Sequence, residues 1–233
     1  WSKSLYNLHN SKKYDANSIF RRRLAYDEIL ANLLVLSLVR KRIKKYKKQR
    51  KNFDNLYQKK IIDNFNFKLT NSQIQTIEEI NKDLKSGHKM FRILQGDVGS
   101  GKTIVSFIAA SNVIRSNWQT TLMAPTEILA KQHYELAKKI FKNTSINIEI
   151  LTSKSTTSEK KIILKNLING KINFLIGTHA LFQKKIIFKN LGLVIIDEQH
   201  KFGVKQRMEL SNKGGRDCDI LLMSATPIPR TLI

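Results

Sequence analysis

Eight residues near the middle of the chain set its architecture: Gly96-Asp97-Val98-Gly99-Ser100-Gly101-Lys102-Thr103. A short apolar run, residues 91–94, precedes them, and an amphipathic stretch, residues 102–115, follows them. A strand that passes through a glycine-rich turn into a helix is the repeating unit of α/β folds. The sequence therefore predicts a strand at residues 91–94 and a helix at residues 102–115, joined by the glycine-rich turn.

The same alternation continues on both sides of this stretch. Further apolar runs lie at residues 121–124, 148–151, 174–176, 193–196 and 220–223, and helical patterns cover residues 127–141 and 158–168. Apolar strands separated by helices are typical of a parallel sheet covered on both faces. The sequence predicts an α/β fold over residues 67–233, with a mainly parallel sheet flanked by helices.

The N-terminal part has a different texture. Between residues 21 and 39, apolar residues recur at three- and four-residue spacing without Pro or Gly, which predicts a long helix. Nine of the next twelve residues, 40–51, are cationic. Two interpretations of this basic run stay open. It is either a solvated helix end, where cations are favoured, or a surface that contacts phosphates.

The net charge of +24 favours a polyanionic partner such as nucleic acid. The alternative is the lysine-rich composition that AT-rich genomes encode. Residues 1–66 carry a net charge of +12, as much as the longer remainder. The longest apolar stretch, residues 29–39, is too short to span a bilayer, so no membrane partner is expected. A single cysteine, Cys218, excludes an internal disulfide.

The eight-residue stretch fits the phosphate-binding pattern G-x-x-x-x-G-K-[ST] completely. Its glycines let several backbone N–H groups turn toward phosphates, and the helix that follows presents its positive end to the same anion. Lys102 is predicted to reach the β- and γ-phosphates, and Thr103 to offer its hydroxyl to Mg²⁺. The predicted nucleotide-binding residues are Gly96, Asp97, Val98, Gly99, Ser100, Gly101, Lys102 and Thr103.

Two acids follow the apolar run at residues 193–196, namely Asp197 and Glu198. A buried parallel strand delivers such residues to the carboxyl edge of the sheet, where open α/β sheets bind their ligands. Asp197 is predicted to hold Mg²⁺, and Glu198 to polarise an attacking water. Together with Lys102, they are the predicted catalytic residues.

The segment Asp197-Glu198-Gln199-His200 resembles the DEQH form of the superfamily 2 helicase box. Segments 124–133, 177–183 and 224–232 resemble motifs Ia, Ib and III of these motors. With the stretch 21–30, they are similar to the RecG family of ATP-dependent branched-DNA helicases. The resemblance implies that residues 67–233 are the first RecA-like lobe and residues 1–66 a connector from a wedge domain. The chain opens with Trp1 rather than Met, and a wedge and a second lobe are expected in the same full-length protein.

The resemblance also implies roles for individual residues. Residues 67–73 resemble a Q-motif, which would place Gln73 on the adenine of ATP. The DNA backbone would meet Pro125, Thr126, Thr178 and His179. Coupling between the nucleotide, the DNA and the second lobe would fall to Gln199, His200, Ser224 and Thr226.

The function implied is ATP hydrolysis that drives remodelling of stalled forks and Holliday junctions, in recombination and repair in the bacterial cytoplasm. Two alternatives stay open. An Mfd-like transcription-repair translocase shares several of these segments, although its box is usually DEEH and the segment 21–30 argues against it. A nucleotide-binding DNA module without activity of its own is the other. Measuring ATP turnover with and without branched DNA distinguishes them.

Overall fold

The structure is a computed structural model and describes residues 2–10, 18–45, 47–64, 68–198 and 213–225. Contacts divide the chain into two units, with the division between residues 45 and 46. The domain boundary predicted after residue 66 stays a prediction. In the structure, residues 47–64 make their contacts within the second unit.

The described residues of the first unit form two helices, α1 (Ser2–His9) and α2 (Ile19–Lys45), which pack against each other. The predicted long helix is therefore present, and it begins two residues before the predicted start. Arg23 and Asp27, one turn apart on α2, form an ion pair at 3.2 Å. Within the described part of the chain, no helix is both long enough and apolar enough to cross a membrane.

The second unit is an α/β domain. Its helices are α3 (Asn55–Asp63), α4 (Asn71–Lys85), α5 (Lys102–Arg115), α6 (Glu127–Ile140) and α7 (Thr157–Ile168). Its strands are β1 (Phe91–Gln95), β2 (Gln119–Met123), β3 (Ile148–Leu151), β4 (Phe174–Gly177), β5 (Leu191–Ile196) and β6 (Asp219–Ser224). The six predicted strands and the three helices predicted between them are confirmed, with bounds that differ by at most two residues.

The six strands form one sheet in the order β1-β6-β5-β2-β4-β3, and every neighbouring pair is parallel. The predicted mainly parallel sheet is thus confirmed. Because all strands point the same way, the loops that follow them meet at one edge of the sheet. The strand order places the carboxyl ends of β1, β6, β5, β2 and β4 side by side along that edge.

Successive residues of the central strands enter two different cores. Leu193 and Ile195 of β5 belong to the core under α3–α6, whereas Val194 and Ile196 belong to the core under α7. This period of two explains why the strands read as continuously apolar, since both faces of the sheet are covered. The sheet is consequently a rigid platform for the loops at its carboxyl edge.

An aromatic cluster ties α5 to the sheet. Phe107 of α5 is fully buried, and its ring lies 5.7 Å from Phe174 of β4 and 5.9 Å from Phe141 at the end of α6. Aromatic pairs at such separations add about 0.5–1.5 kcal/mol each beyond the area they bury. The helix that follows the glycine-rich loop is therefore held firmly against the strands.

Candidate functional site

The glycine-rich loop lies at the carboxyl edge, between the end of β1 and the start of α5. The backbone N–H of Gly96 donates to the carbonyl of Ser224 at 3.3 Å, which fixes the loop to the end of β6. Gly99 and Gly101 have φ angles of +81° and +82°, in the left-handed region that favours glycine. The predicted turn is therefore present, and a side chain at either position would strain it.

The start of α5 differs from the starts of its neighbours. The helices α4, α6 and α7 are each capped by a threonine hydroxyl, from Thr70, Thr126 and Thr156 respectively. At the start of α5, Gly101 contributes no side-chain cap. Backbone N–H groups at a helix start carry a partial positive charge and seek an acceptor. An anion such as a phosphate can accept hydrogen bonds from these N–H groups at the start of α5.

The side chain of Lys102 folds back onto the phosphate loop. Its ammonium group donates to the carbonyls of Gly96 at 2.6 Å and Asp97 at 2.7 Å. These neutral carbonyls are weaker partners for an ammonium group than the charged oxygens of a phosphate. The lysine is thus positioned to exchange loop carbonyls for phosphate oxygens when a nucleotide binds.

Gln73 connects α4 to the same loop. Its side-chain oxygen accepts from the N–H of Thr70 at 2.9 Å, and its amide nitrogen donates to the carbonyl of Ser100 at 3.0 Å. The amide nitrogen also occupies the space that a Cβ on Gly101 would need. Gln73 is therefore in contact with the phosphate loop, and its predicted contact with adenine stays a prediction.

The predicted acidic pair lies where β5 ends. The N–H of Asp197 donates to the carbonyl of Met123 at 2.9 Å, which continues the β5–β2 pairing by one residue. Asp197 then accepts the N–H of Glu198 on Oδ1 at 3.0 Å. Glu198 has a φ of +48°, a left-handed conformation that is uncommon outside glycine. Strain of this kind is concentrated at functional sites.

The residues at this edge fit a magnesium ion held partly by a nucleotide. Thr103 and Asp197 offer hydroxyl and carboxylate oxygens, the ligands that Mg²⁺ prefers. In proteins Mg²⁺ keeps several waters and takes phosphate oxygens, so one or two protein ligands suffice. No cluster of three or more His, Cys, Asp or Glu residues that could hold a metal occurs within the described ranges. The donor set therefore suits a nucleotide-bound ion.

The residues predicted to contact DNA lie at the same edge, after β2 and β4. Thr126 caps α6 by accepting the N–H of Leu129 at 3.3 Å, and Pro125 directly precedes it. His179 is exposed. The hydroxyl of Thr178, in contrast, is buried and has no hydrogen-bond partner among the described residues. Thr178 as a whole is 1% exposed in this structure, and all four DNA contacts stay predictions.

The predicted coupling residues are only partly within the described chain. Ser224 is buried at the end of β6, where its carbonyl holds Gly96. Gln199, His200 and Thr226 lie outside the described residues. The coupling role of all four stays a prediction.

Part of the basic run has a role that neither sequence interpretation anticipated. Lys48 and Lys51 are buried, and both ammonium groups donate to the Asp219 carboxylate, at 2.6–2.7 Å. Burial lowers the pKa of Lys48, against the opposing effect of the Asp219 carboxylate. Asp219 begins β6, at the sheet edge opposite the candidate site. For these two lysines, both the solvated-end and the phosphate-contact interpretations are wrong.

Replacing Asp219 by Asn should destabilise the domain by about 3–5 kcal/mol, because it leaves two buried ammonium groups without a counter-charge. The free energy of unfolding from urea denaturation measures this loss. Lys48→Met is the matched control, since it leaves one lysine and one carboxylate as a neutral pair. A loss in Lys48→Met equal to that in Asp219→Asn would contradict this account of the cluster.

His133 belongs to the site and was missed by the sequence reasoning. Its Nε2 lies 2.8 Å from Oδ2 of Asp197, and the residue is buried in the middle of α6. The five histidines form no metal-ligand pattern in the sequence, so no local motif marks this one. The available signal was its position on the buried face of α6, together with Ala130, Ala137 and Ile140.

A phosphate loop after β1 and an acidic pair after β5, one strand removed in the same parallel sheet, define a P-loop nucleotide-binding domain. The sequence model described as DEAD/DEAH box helicase matches residues 70–232. The chain therefore belongs to the DEAD/DEAH box helicase family.

Within this family, the chain is similar to proteins named ATP-dependent DNA helicase RecG. It is 47% identical over 232 residues to that of Aquifex aeolicus and 44% identical over 226 residues to that of Bacillus subtilis. These alignments cover 97% of this chain but 29% and 33% of the relatives. The chain thus spans about a third of the length of these relatives or less. The resemblance to the RecG family is confirmed.

A solved structure is similar in fold as well as in sequence. It is described as RecG bound to a three-way DNA junction, and it matches with a TM-score of 0.80 and 44% identity. The match covers 91% of this chain and 28% of that one. The RecA-like architecture is therefore shared with a RecG protein.

Proposed function

We propose that this chain is the nucleotide-binding lobe of a RecG-type helicase, in which hydrolysis of Mg-ATP drives the remodelling of branched DNA. The observation that carries the proposal is the shared sheet edge. The phosphate loop after β1, the acidic pair after β5 and the candidate DNA segments after β2 and β4 lie along one edge of the same sheet, where only β6 separates β1 from β5. Small movements of one loop can therefore be transmitted to the next.

The residues of this edge divide the work of hydrolysis among them. The ammonium group of Lys102 binds the β- and γ-phosphates. Negative charge develops on the oxygen that bridges them as its bond to the γ-phosphorus breaks, and the lysine stabilises that charge. Thr103 and Asp197 would hold the magnesium ion, which neutralises phosphate charge when bound. Glu198 accepts a proton from the attacking water and aligns it with the γ-phosphate. Gln73 holds the phosphate loop through Ser100.

The proposed nucleic-acid partner is DNA with a fork or junction. The relatives are named DNA helicases, and one was solved on a three-way junction. Hydroxyls, backbone N–H groups and lysines contact phosphates without reading bases. We accordingly propose that this lobe grips the DNA backbone, that recognition of the branch depends on other domains, and that the protein works in the bacterial cytoplasm.

DNA binding by the chain should be mainly electrostatic. Affinity should fall by orders of magnitude between about 50 and 200 mM salt and vary little with sequence, because the contacts are to phosphates. Fluorescence anisotropy with two unrelated duplexes measures both effects. An affinity that depends on sequence and hardly on salt would contradict a backbone grip.

The same assay tests the rest of the basic run. Replacing Lys44, Lys45 and Lys47 by Gln should reduce the slope of log affinity against log salt by about 0.9 for each lost phosphate contact. Lys48 is left in place because it is buried. The matched control replaces the exposed Lys139, Lys142 and Lys171 by Gln, with the same loss of charge. If the salt slope changed equally in both triple variants, the basic run would contribute only through its overall charge and not through specific phosphate contacts.

A further inference from the structure

His133 and Asp197 form a hydrogen bond between α6 and the acidic pair. The atoms are 2.8 Å apart, and the side chains are only 10% and 13% exposed. Binding of a magnesium ion requires Asp197 as a carboxylate, which has no proton to donate, so in that state the imidazole Nε2 carries the hydrogen. The direction of the bond is thereby fixed: His133 donates, and Oδ2 of Asp197 accepts.

The imidazole is held in place by its surroundings. Ala130 and Ala137 lie on the same buried face of α6, and the edge of the ring packs against Phe107 at 6.4 Å and 71°. Phe107 itself is fully buried on α5, the helix that begins at the phosphate loop. Packing on these sides restricts the imidazole, so its Nε2 remains directed at the carboxylate.

Asp197 is held on both of its oxygens. Oδ1 accepts the N–H of Glu198 at 3.0 Å, and Oδ2 accepts from His133. Each carboxylate oxygen has two lone pairs, so one lone pair on each stays available to a metal ion or its water. Without His133, the carboxylate would keep only one of these two restraints.

We propose that His133 is a positioning residue that orients Asp197 for the magnesium ion of the nucleotide. The proposal rests on the proposed function, because it requires Mg-ATP at this edge. It also gives α6 a second role. The helix is capped by Thr126, a predicted DNA contact, and His133 follows seven residues later, about 10 Å along the helix axis. One hydrogen bond therefore joins the DNA side of the lobe to the metal side.

A merely packed histidine would give a different result from a positioning one. Loss of packing weakens all ligand binding alike, whereas loss of orientation weakens the part that depends on metal. Hydrogen-bond partners of metal ligands typically contribute on the order of 10–100-fold to metal affinity. The experiment therefore measures how ATP affinity depends on Mg²⁺, and it needs no turnover.

The test is calorimetric titration of ATP into the chain over a range of Mg²⁺ concentrations and in EDTA, for the wild type, His133→Ala and His133→Gln. In His133→Ala, the Mg²⁺ concentration for half-maximal tightening should rise on the order of 10–100-fold, with affinity in EDTA unchanged. In His133→Gln, the Mg²⁺ concentration for half-maximal tightening should lie close to that of the wild type, because the Gln amide can donate a hydrogen bond to Asp197 from nearly the same position. The exposed neighbour Gln132→Ala is the control and should match the wild type.

Two results would overturn the proposal. One is an unchanged Mg²⁺ dependence in His133→Ala. The other is an equal loss of affinity with and without Mg²⁺ that His133→Gln does not restore, which would make His133 a packing residue only. A wild-type chain that binds no ATP at any Mg²⁺ concentration would instead refute the proposed function, so the two failures are distinguishable.

Discussion

Replacing Glu198 by Gln should leave Mg-ATP binding intact and reduce ATP hydrolysis by about 10²–10⁴-fold. Gln keeps the size and shape of Glu but cannot accept the proton of the attacking water. The left-handed backbone at Glu198 supports this role, because it sets the residue apart from the straight course of β5. Single-turnover hydrolysis and calorimetric binding, measured on the same preparation, separate the two effects.

The informative comparison for this prediction is with Lys102→Ala, which removes the phosphate-binding charge rather than the base. If both variants lost ATP binding to the same extent, the assignment of one residue to binding and the other to chemistry would be wrong. Normal hydrolysis in Glu198→Gln would likewise remove Glu198 from the reaction.

The second large effect is the slow turnover expected of the chain by itself. In related nucleotide hydrolases, an arginine supplied across the nucleotide cleft contributes on the order of 10³–10⁵ in rate. We expect that arginine on the second RecA-like lobe that the resemblance to RecG implies, and the chain spans 29% of the Aquifex aeolicus relative. We expect weak hydrolysis by the 233-residue chain, little stimulation by forked DNA and no unwinding.

A coupled assay of ATP turnover with no DNA, linear duplex and forked DNA measures this directly. Glu198→Gln serves as the blank, because its inactivity shows that a contaminating ATPase is not the source of the signal. Strong stimulation by forked DNA that disappears in Glu198→Gln would mean that the second lobe is not required. The division of the motor proposed here would then be incorrect.

The sheet was predictable because each of its strands leaves a short apolar run in the sequence, which can be recognised without knowledge of distant residues. Residues that cross a doubly covered parallel sheet must be apolar on both faces, so β4 and β5 appear in the sequence as short continuous runs. The phosphate loop was predictable for a related reason. Gly99 and Gly101 adopt angles that few other residues tolerate, and Lys102 follows at a fixed distance.

The helices α1, α3 and α4 were not predicted, although α4 carries a regular signal. Ile77, Ile80 and Leu84 are its buried residues, spaced by three and four, and Thr70 caps its start. The segment that resembles a Q-motif and this ordinary amphipathic helix overlap in the sequence, at residues 71–73.

What could not be predicted depends on partners far apart in the chain. His133 and Asp197 are 64 residues apart, and Lys48 and Asp219 are 171 residues apart. A lysine within a basic run gives no local sign that its counter-charge begins a distant strand. Only the fold brings such pairs together. Because Lys48 and Lys51 are buried, the number of cations in the run exceeds the number that can contact DNA.

Calorimetric titration of Mg-ATP into the wild-type chain and into Lys102→Ala tests most directly whether the carboxyl edge is a nucleotide site. Binding of Mg-ATP by the wild type, and its loss or strong weakening in Lys102→Ala, is the result expected from removing the charge beside the phosphates. Equal affinity in the two proteins, or no binding by the wild type, would contradict the account.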